Sequence, residues 1–255
     1  MDELKKAIDY LKEYNGIHNF FDANDKDTFR ALMNITMPIN LSDEFYNYQD
    51  QILQEQLKDK VITDVNDLIP ITDKIYLWKG DITTIKADAI VNACNSKLLG
   101  CFQPLHRCID NAIHSFAGLQ VRRDLIEIMQ KQGHDEENGK AKITKGYNLP
   151  SKYIIHTVGP IVSKILTKEN EEDLKNCYLS SLKLADGYQL KSIVFCSIST
   201  GLYGYPIQKA SRVAIQAVNE YLKTNPNTSI QKVIFNTFTG SDYDVYYQTI
   251  KEMVR

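Results

Sequence analysis

Apolar positions in the first 70 residues recur at helical spacing. Leu4, Ala7, Ile8, Leu11 and Tyr14 share one face of a first helix. Phe29, Leu32 and Met33 make the buried stripe of a second, with Asp25 or Asp27 as its expected cap. Ser42 with Glu44 opens a third, which carries Leu53 and Leu57, and Pro70 closes the section. Gly16 is the only glycine of this stretch, and no linker separates it from the rest of the chain. Residues 1–72 therefore read as a helical extension packed on a main domain over 73–255. It either packs without chemistry or shapes one wall of a site.

From residue 73 the pattern becomes strands alternating with helices. Ile75–Lys79 and Ala89–Asn92 read as strands and 110–120 as a helix that starts near Asp110. The stretches 141–149 and 153–158 read as two further strands. A helix over 171–187 places Leu174, Cys177, Tyr178, Leu182 and Ala185 on one side. The short, nearly continuous apolar run 192–198 reads as a buried strand. A helix over 207–222, a strand over 232–236 and a helix over 243–254 complete the order. This alternation predicts an α/β fold of three layers. No internal repeat or low-complexity segment interrupts it.

Composition changes this picture little. The chain has 255 residues, 43% hydrophobic and 24% charged, enough for one large domain or a domain with an extension. The net charge of -2 and the lack of a basic run argue against nucleic acid as the main partner. A small anion is compatible with that charge, since it needs only local positive potential. No apolar stretch approaches the roughly 18 residues of a membrane helix. The start, Met1-Asp2-Glu3-Leu4-Lys5, lacks the pattern of a signal peptide. With that start, the five cysteines are expected as free thiols or metal ligands in a reducing cytoplasm.

The chemistry concentrates in two loops. In the first, a hydrophobic strand delivers Asn92 and Asn95, and Cys101, His106 and Cys108 lie within eight residues of one another just beyond them. Two thiolates and an imidazole suit zinc and leave a fourth position open. Two chance thiols beside a loop histidine, or a purely structural zinc, are the blander readings. The second loop is Ser199-Thr200-Gly201-Leu202-Tyr203-Gly204-Tyr205-Pro206, between a buried strand and a helix. Its glycines allow backbone amides to approach a phosphate, Ser199 and Thr200 add hydroxyls, and Tyr205 is expected against a sugar or base face. His114, His156, Cys94, Cys177 and Cys196 read as packed rather than chemical.

Five motifs, Gly80-Asp81-Ile82-Thr83, Asn92-Ala93-Cys94-Asn95, Thr144 to Pro150, His156-Thr157-Val158-Gly159-Pro160 and Ser199 to Pro206, stand in one order. In that order residues 73–255 resemble the macrodomain family. The resemblance implies an α/β/α sandwich with a mixed sheet and a cleft for ADP-ribose. It implies that Asp81 accepts from the adenine amino group, the Ile82 backbone meets the ring, and Phe238 flanks it. Residues 199–204 would wrap the diphosphate, and Asn95 would face the distal ribose.

One departure is informative. Where hydrolytic members carry a glycine run, this chain has Gly100 to Cys108, and Asp110 stands at the family's acidic position. This resembles a zinc-containing microbial subgroup. That subgroup is linked to a sirtuin-type ADP-ribosyltransferase and a lipoyl carrier protein. The resemblance implies a zinc-dependent hydrolase acting on mono-ADP-ribosylated protein, with Asn95 and Asp110 as catalytic residues. A non-catalytic ADP-ribose reader or a phosphatase for ADP-ribose 1″-phosphate are the alternatives.

Overall fold

The structure is a computed structural model and describes residues 2–18 and 24–254. Its N-terminal part is helical: α1 (Asp2–Tyr14), α2 (Asp25–Ile35) and α3 (Asp43–Lys58). The Ser42 hydroxyl caps α3 by accepting from the Phe45 amide. The cap of α2 is Asn24, which accepts from the Asp27 amide, so neither Asp25 nor Asp27 fills that role. Both aspartates instead sit in the first turn, where the helix dipole favours them. Ala7, Leu11, Phe29, Leu32 and Phe45 close a core cluster that also takes Leu119 from outside the segment.

The main body is a six-stranded sheet of β2 (Ile75–Lys79), β4 (Ala89–Cys94), β5 (Ala141–Lys145), β6 (Tyr153–Val158), β7 (Ser192–Phe195) and β8 (Lys232–Thr237). Their order across the sheet is β2-β8-β7-β4-β6-β5, and only the β5–β6 pair is antiparallel. A second, two-stranded parallel sheet joins β1 (Thr63–Asp64) to β3 (Ile85–Lys86). The central strands read as continuous apolar runs because both faces are covered. In β7 every residue is buried. The covering helices are α4 (Ile109–Ala117), α5 (Leu119–Gln132), α6 (Lys168–Gly187), α7 (Ile207–Thr224) and α8 (Gly240–Met253). The predicted mixed-sheet α/β fold, with its helical N-terminal segment, is what forms.

Several predicted boundaries shift by one to four residues, and three of the differences have a clear local cause. The helix read over 110–120 breaks at Gly118, whose φ of 99° ends α4, and α5 begins directly after it. The strand read to Leu149 stops at Lys145, where Gly146 and Tyr147 turn, Tyr147 with φ 50°. The run to Ile198 leaves the sheet after Phe195, although Cys196 and Ile198 stay in the core.

Candidate active site

The carboxyl ends of β4, β7 and β8 open into a cleft of about 930 Å³. This is where ligands collect in open α/β sheets. Asn95, the metal-type loop, Asp110, the Ser199–Tyr203 loop and Phe238 all line it. Asp81, Ile82, Asn92, Gly204 and Tyr205 do not.

The 199–203 loop presents unpaired polar groups to the cleft. Among the described residues, the backbone N–H groups of Gly201, Leu202 and Tyr203 have no protein acceptor. Gly201 and Leu202 are exposed, so these amides are open to solvent or to an anion in the cleft. The Ser197 and Ser199 hydroxyls also lack a protein partner at the cleft wall. Ser199 holds a left-handed φ of 64°, and a Cβ on Gly159 would come within 2.1 Å of its Oγ. Only glycine at 159 therefore allows that close approach. Gly204, φ 69°, lets the chain turn under Val162. The turn sends Tyr205 into the core at 2% exposure. Its ring is thus unavailable for a sugar or base face, contrary to expectation. Phe238 is 78% exposed at the rim.

Below the floor lies a buried polar chain. Asn92 sits in β4, fully buried, and its Nδ2 donates to Asp110 Oδ1 at 2.8 Å. The same amide lies 3.3 Å from His156 Nδ1, and His156 Nε2 lies 2.9 Å from the Thr144 hydroxyl. His114 Nε2 is 3.5 Å from Asp110 Oδ1. Asn92 thus reaches the cleft through Asp110. Burial pushes the Asp110 carboxyl up to about 6, against the opposing pull of Asn92 and Arg122. Asn95 lies at the cleft itself, where Oδ1 accepts from the Lys97 amide and Nδ2 donates to the Gly100 carbonyl.

Asp81 caps the short 3₁₀ turn 82–84 by accepting from Thr83, and its Oδ2 lies 3.7 Å from Lys60 Nζ. Lys60 in turn stands 3.4 Å over the Phe116 ring. Asp81, named from the sequence for the adenine amino group, is therefore in contact with the N-terminal segment.

Cys101, His106 and Cys108 come together, with one ligand atom of each within 4.8 Å of the others. Cys101 Sγ and His106 Nδ1 are 3.6 Å apart. Zinc–sulfur and zinc–nitrogen bond lengths place such a pair about 3.5 Å apart around a tetrahedral ion, so this donor set fits zinc. Burial raises the Cys108 thiol, and its Sγ accepts from the Asn111 amide at the start of α4. All five cysteines are free, and Cys94, Cys177 and Cys196 are buried.

The profile of the Macro domain family matches residues 91–214. A protein of Staphylococcus aureus (strain MSSA476) named Protein-ADP-ribose hydrolase is 50% identical, over 95% of this chain and 94% of that protein. The chain belongs to the macrodomain family. The fold of this macrodomain also resembles a Trypanosoma brucei macrodomain solved in complex with ADP-ribose. The TM-score is 0.67 and the identity 27%, over 91% of this chain and 97% of that one. A Fusarium oxysporum f. sp. cubense protein named Probable bifunctional ADP-ribose hydrolase/ADP-ribosyltransferase is 39% identical over 81% of this chain, which spans 37% of it.

Among the lining residues of the macrodomain cleft that carried no signal in the sequence are Ser197 and Arg107. Ser197 is hidden in an apolar run, and only the strand's end at Phe195 frees its hydroxyl. Arg107, exposed between His106 and Cys108, also lines the cleft wall. Among the described residues no helix is long and apolar enough to cross a membrane.

Proposed function

We propose that this macrodomain hydrolyses the bond between ADP-ribose and a modified protein side chain, removing mono-ADP-ribose. The observation that carries this reading is the placement of Asp110. A buried carboxyl held near neutrality lines the same cleft as the free amides of 201–203 and the Cys101–His106–Cys108 set. The name of the Staphylococcus aureus relative supports it.

In this reading the amides of Gly201, Leu202 and Tyr203, with the Ser197 and Ser199 hydroxyls, hold the diphosphate. Phe238 flanks the base, Asp81 accepts from its amino group and the Ile82 backbone meets the ring. Asn95 fixes a hydroxyl of the distal ribose, so that the anomeric carbon sits over Asp110. Asp110 takes a proton from the attacking water at its carboxylate, which a pKa near working pH suits. Water supplies the hydroxyl to the anomeric carbon and, in net, the proton to the departing side chain. Cys101, His106 and Cys108 would hold the zinc ion, which would supply a Lewis acid able to lower the pKa of bound water to about 7.

The substrate and compartment follow the same logic. A sirtuin-type ADP-ribosyltransferase would make the modification and a lipoyl carrier protein would bear it. The Fusarium oxysporum relative, whose name joins hydrolase and transferase, supports a linked pair. Five free cysteines support a reducing cytoplasm.

The test is metal content together with release of ADP-ribose from a mono-ADP-ribosylated protein, before and after chelation. About one zinc per chain and release that chelation abolishes are expected. Zinc with tight ADP-ribose binding but no release would make the chain a reader. Phosphate release from ADP-ribose 1″-phosphate alone would make it a phosphatase.

A further inference from the structure

The loop carrying Cys101 and His106 has little secondary structure of its own. Leu105, immediately before His106, has a φ of 55°, a conformation that residues with a Cβ disfavour. Within the loop, the turn that Pro104 opens closes over it, the His106 amide donating to the Gln103 carbonyl at 3.2 Å. Asn34, in α2, ties that turn to the N-terminal segment: its Oδ1 accepts from the Leu105 amide at 3.0 Å. Asn34 is 1% exposed, and its Nδ2 donates to the Ser115 hydroxyl of α4 at 2.9 Å.

Two further connections run from the same helix to the same loop. Arg30 donates to Asn111 Oδ1 at 2.9 Å, and Asn111 Nδ2 donates to the carbonyls of Gln103 at 3.0 Å and Cys101 at 3.4 Å. Arg122 joins the loop to the carboxyl end of α2. Its Nε donates to the Leu99 carbonyl at 2.7 Å, and its Nη1 donates to the Met33 and Thr36 carbonyls. The loop is thus fixed before, between and beside its two ligands by groups that α2 orients.

We infer that α2 is part of the metal site, and that Asn34 is a positioning residue that pre-sets the 101–106 loop for its ion. This rests on the zinc reading above. Partners that orient metal ligands from behind are worth about 10- to 100-fold in affinity. The N-terminal segment accordingly does more than pack.

The test titrates zinc into metal-free protein against a chromophoric chelator. Asn34→Leu removes the acceptor and is expected to weaken zinc by about 10- to 100-fold. Asn34→Asp keeps an acceptor beside Arg30 and is expected to stay within about threefold of the unaltered chain. Equal affinity in Asn34→Leu, or equal loss in both variants, overturns the inference. Amide exchange in the unaltered, metal-free chain reads the clamp without any mutation. Leu105 should be protected like the amides of α4, and exchange at the rate of an open loop overturns the inference. If the unaltered chain takes up no zinc, the metal reading fails, and the exchange result still decides whether α2 holds the loop.

Discussion

His156 shows how much a single buried ring sets the chemistry above it. It is fully buried in β6, between Thr144 of β5 and Asn92 of β4, with the His114 ring 5.9 Å away. Burial lowers its imidazole to about 3, so it is neutral at every working pH. Neutral His156 leaves the Asn92 amide free to be directed at Asp110. The cost appears in acid. An unfolded histidine binds a proton below about pH 6.5, the folded one does not, and stability is lost as pH falls from there towards 3. The slope is about 1.4 kcal/mol per pH unit well below 6.5. His114 is depressed in the same direction, while Asp110, raised to about 6, works with the opposite sign. Both are common to the unaltered chain and to His156→Gln. Urea unfolding from pH 6 to pH 4 is therefore expected to be less steep in His156→Gln by about one proton. Parallel profiles would mean that His156 is protonated in the folded state.

At the scale of elements, α5 begins in an unusual way. Its cap position is Gly118, which offers no side chain, so the first amide of the helix would be an orphan. Gln49 of α3 supplies the acceptor, taking the Leu119 amide at 2.8 Å with Oε1 while Nε2 donates to Gln120 at 2.6 Å. A Cβ at position 118 would stand 2.6 Å from both glutamine side chains, so glycine is required there. Gln49→Leu keeps the volume and removes the acceptor, leaving a buried N–H unpaired. It is expected to destabilise the protein by about 1–3 kcal/mol, read from urea midpoints, and no loss would show that water reaches Leu119. This junction also shows where sequence reading ends. The strands and the Gly201–Gly204 loop were legible because apolar runs and glycine turns are local signals. The cysteine–histidine set was legible because its members lie within eight residues. The second helix after Gly118 was not, because Arg122 and Arg123 look like a solvated face. Arg122 is in fact 1% exposed against two carbonyls of the α2 carboxyl end. Nothing local marks Asn34 or Gln49 either, since their partners lie some 70 residues away along the chain.

The whole molecule couples its two cores. The N-terminal helices span 13, 11 and 16 residues, lengths that are marginal for isolated helices in water. Their cluster is small and completes itself with Leu119, which belongs to α5. A segment of this size is marginal on its own. Its stability therefore comes from docking on α4 and α5, and the 99–105 loop depends on the same docking through Asn34, Arg30 and Arg122. Unfolding of the segment and unfolding of the sheet should then be one event, despite a chain length at which separate transitions are common. The molecule carries a convenient pair of probes. Trp78, the sole tryptophan, lies in β2 and reports the sheet, whereas far-ultraviolet dichroism is dominated by the helices. The two melting curves are expected to superimpose. Helix signal lost at a lower temperature than the Trp78 signal would make the N-terminal segment an independent appendage. It would also predict that the 101–108 loop loosens first, well before the cleft itself comes apart.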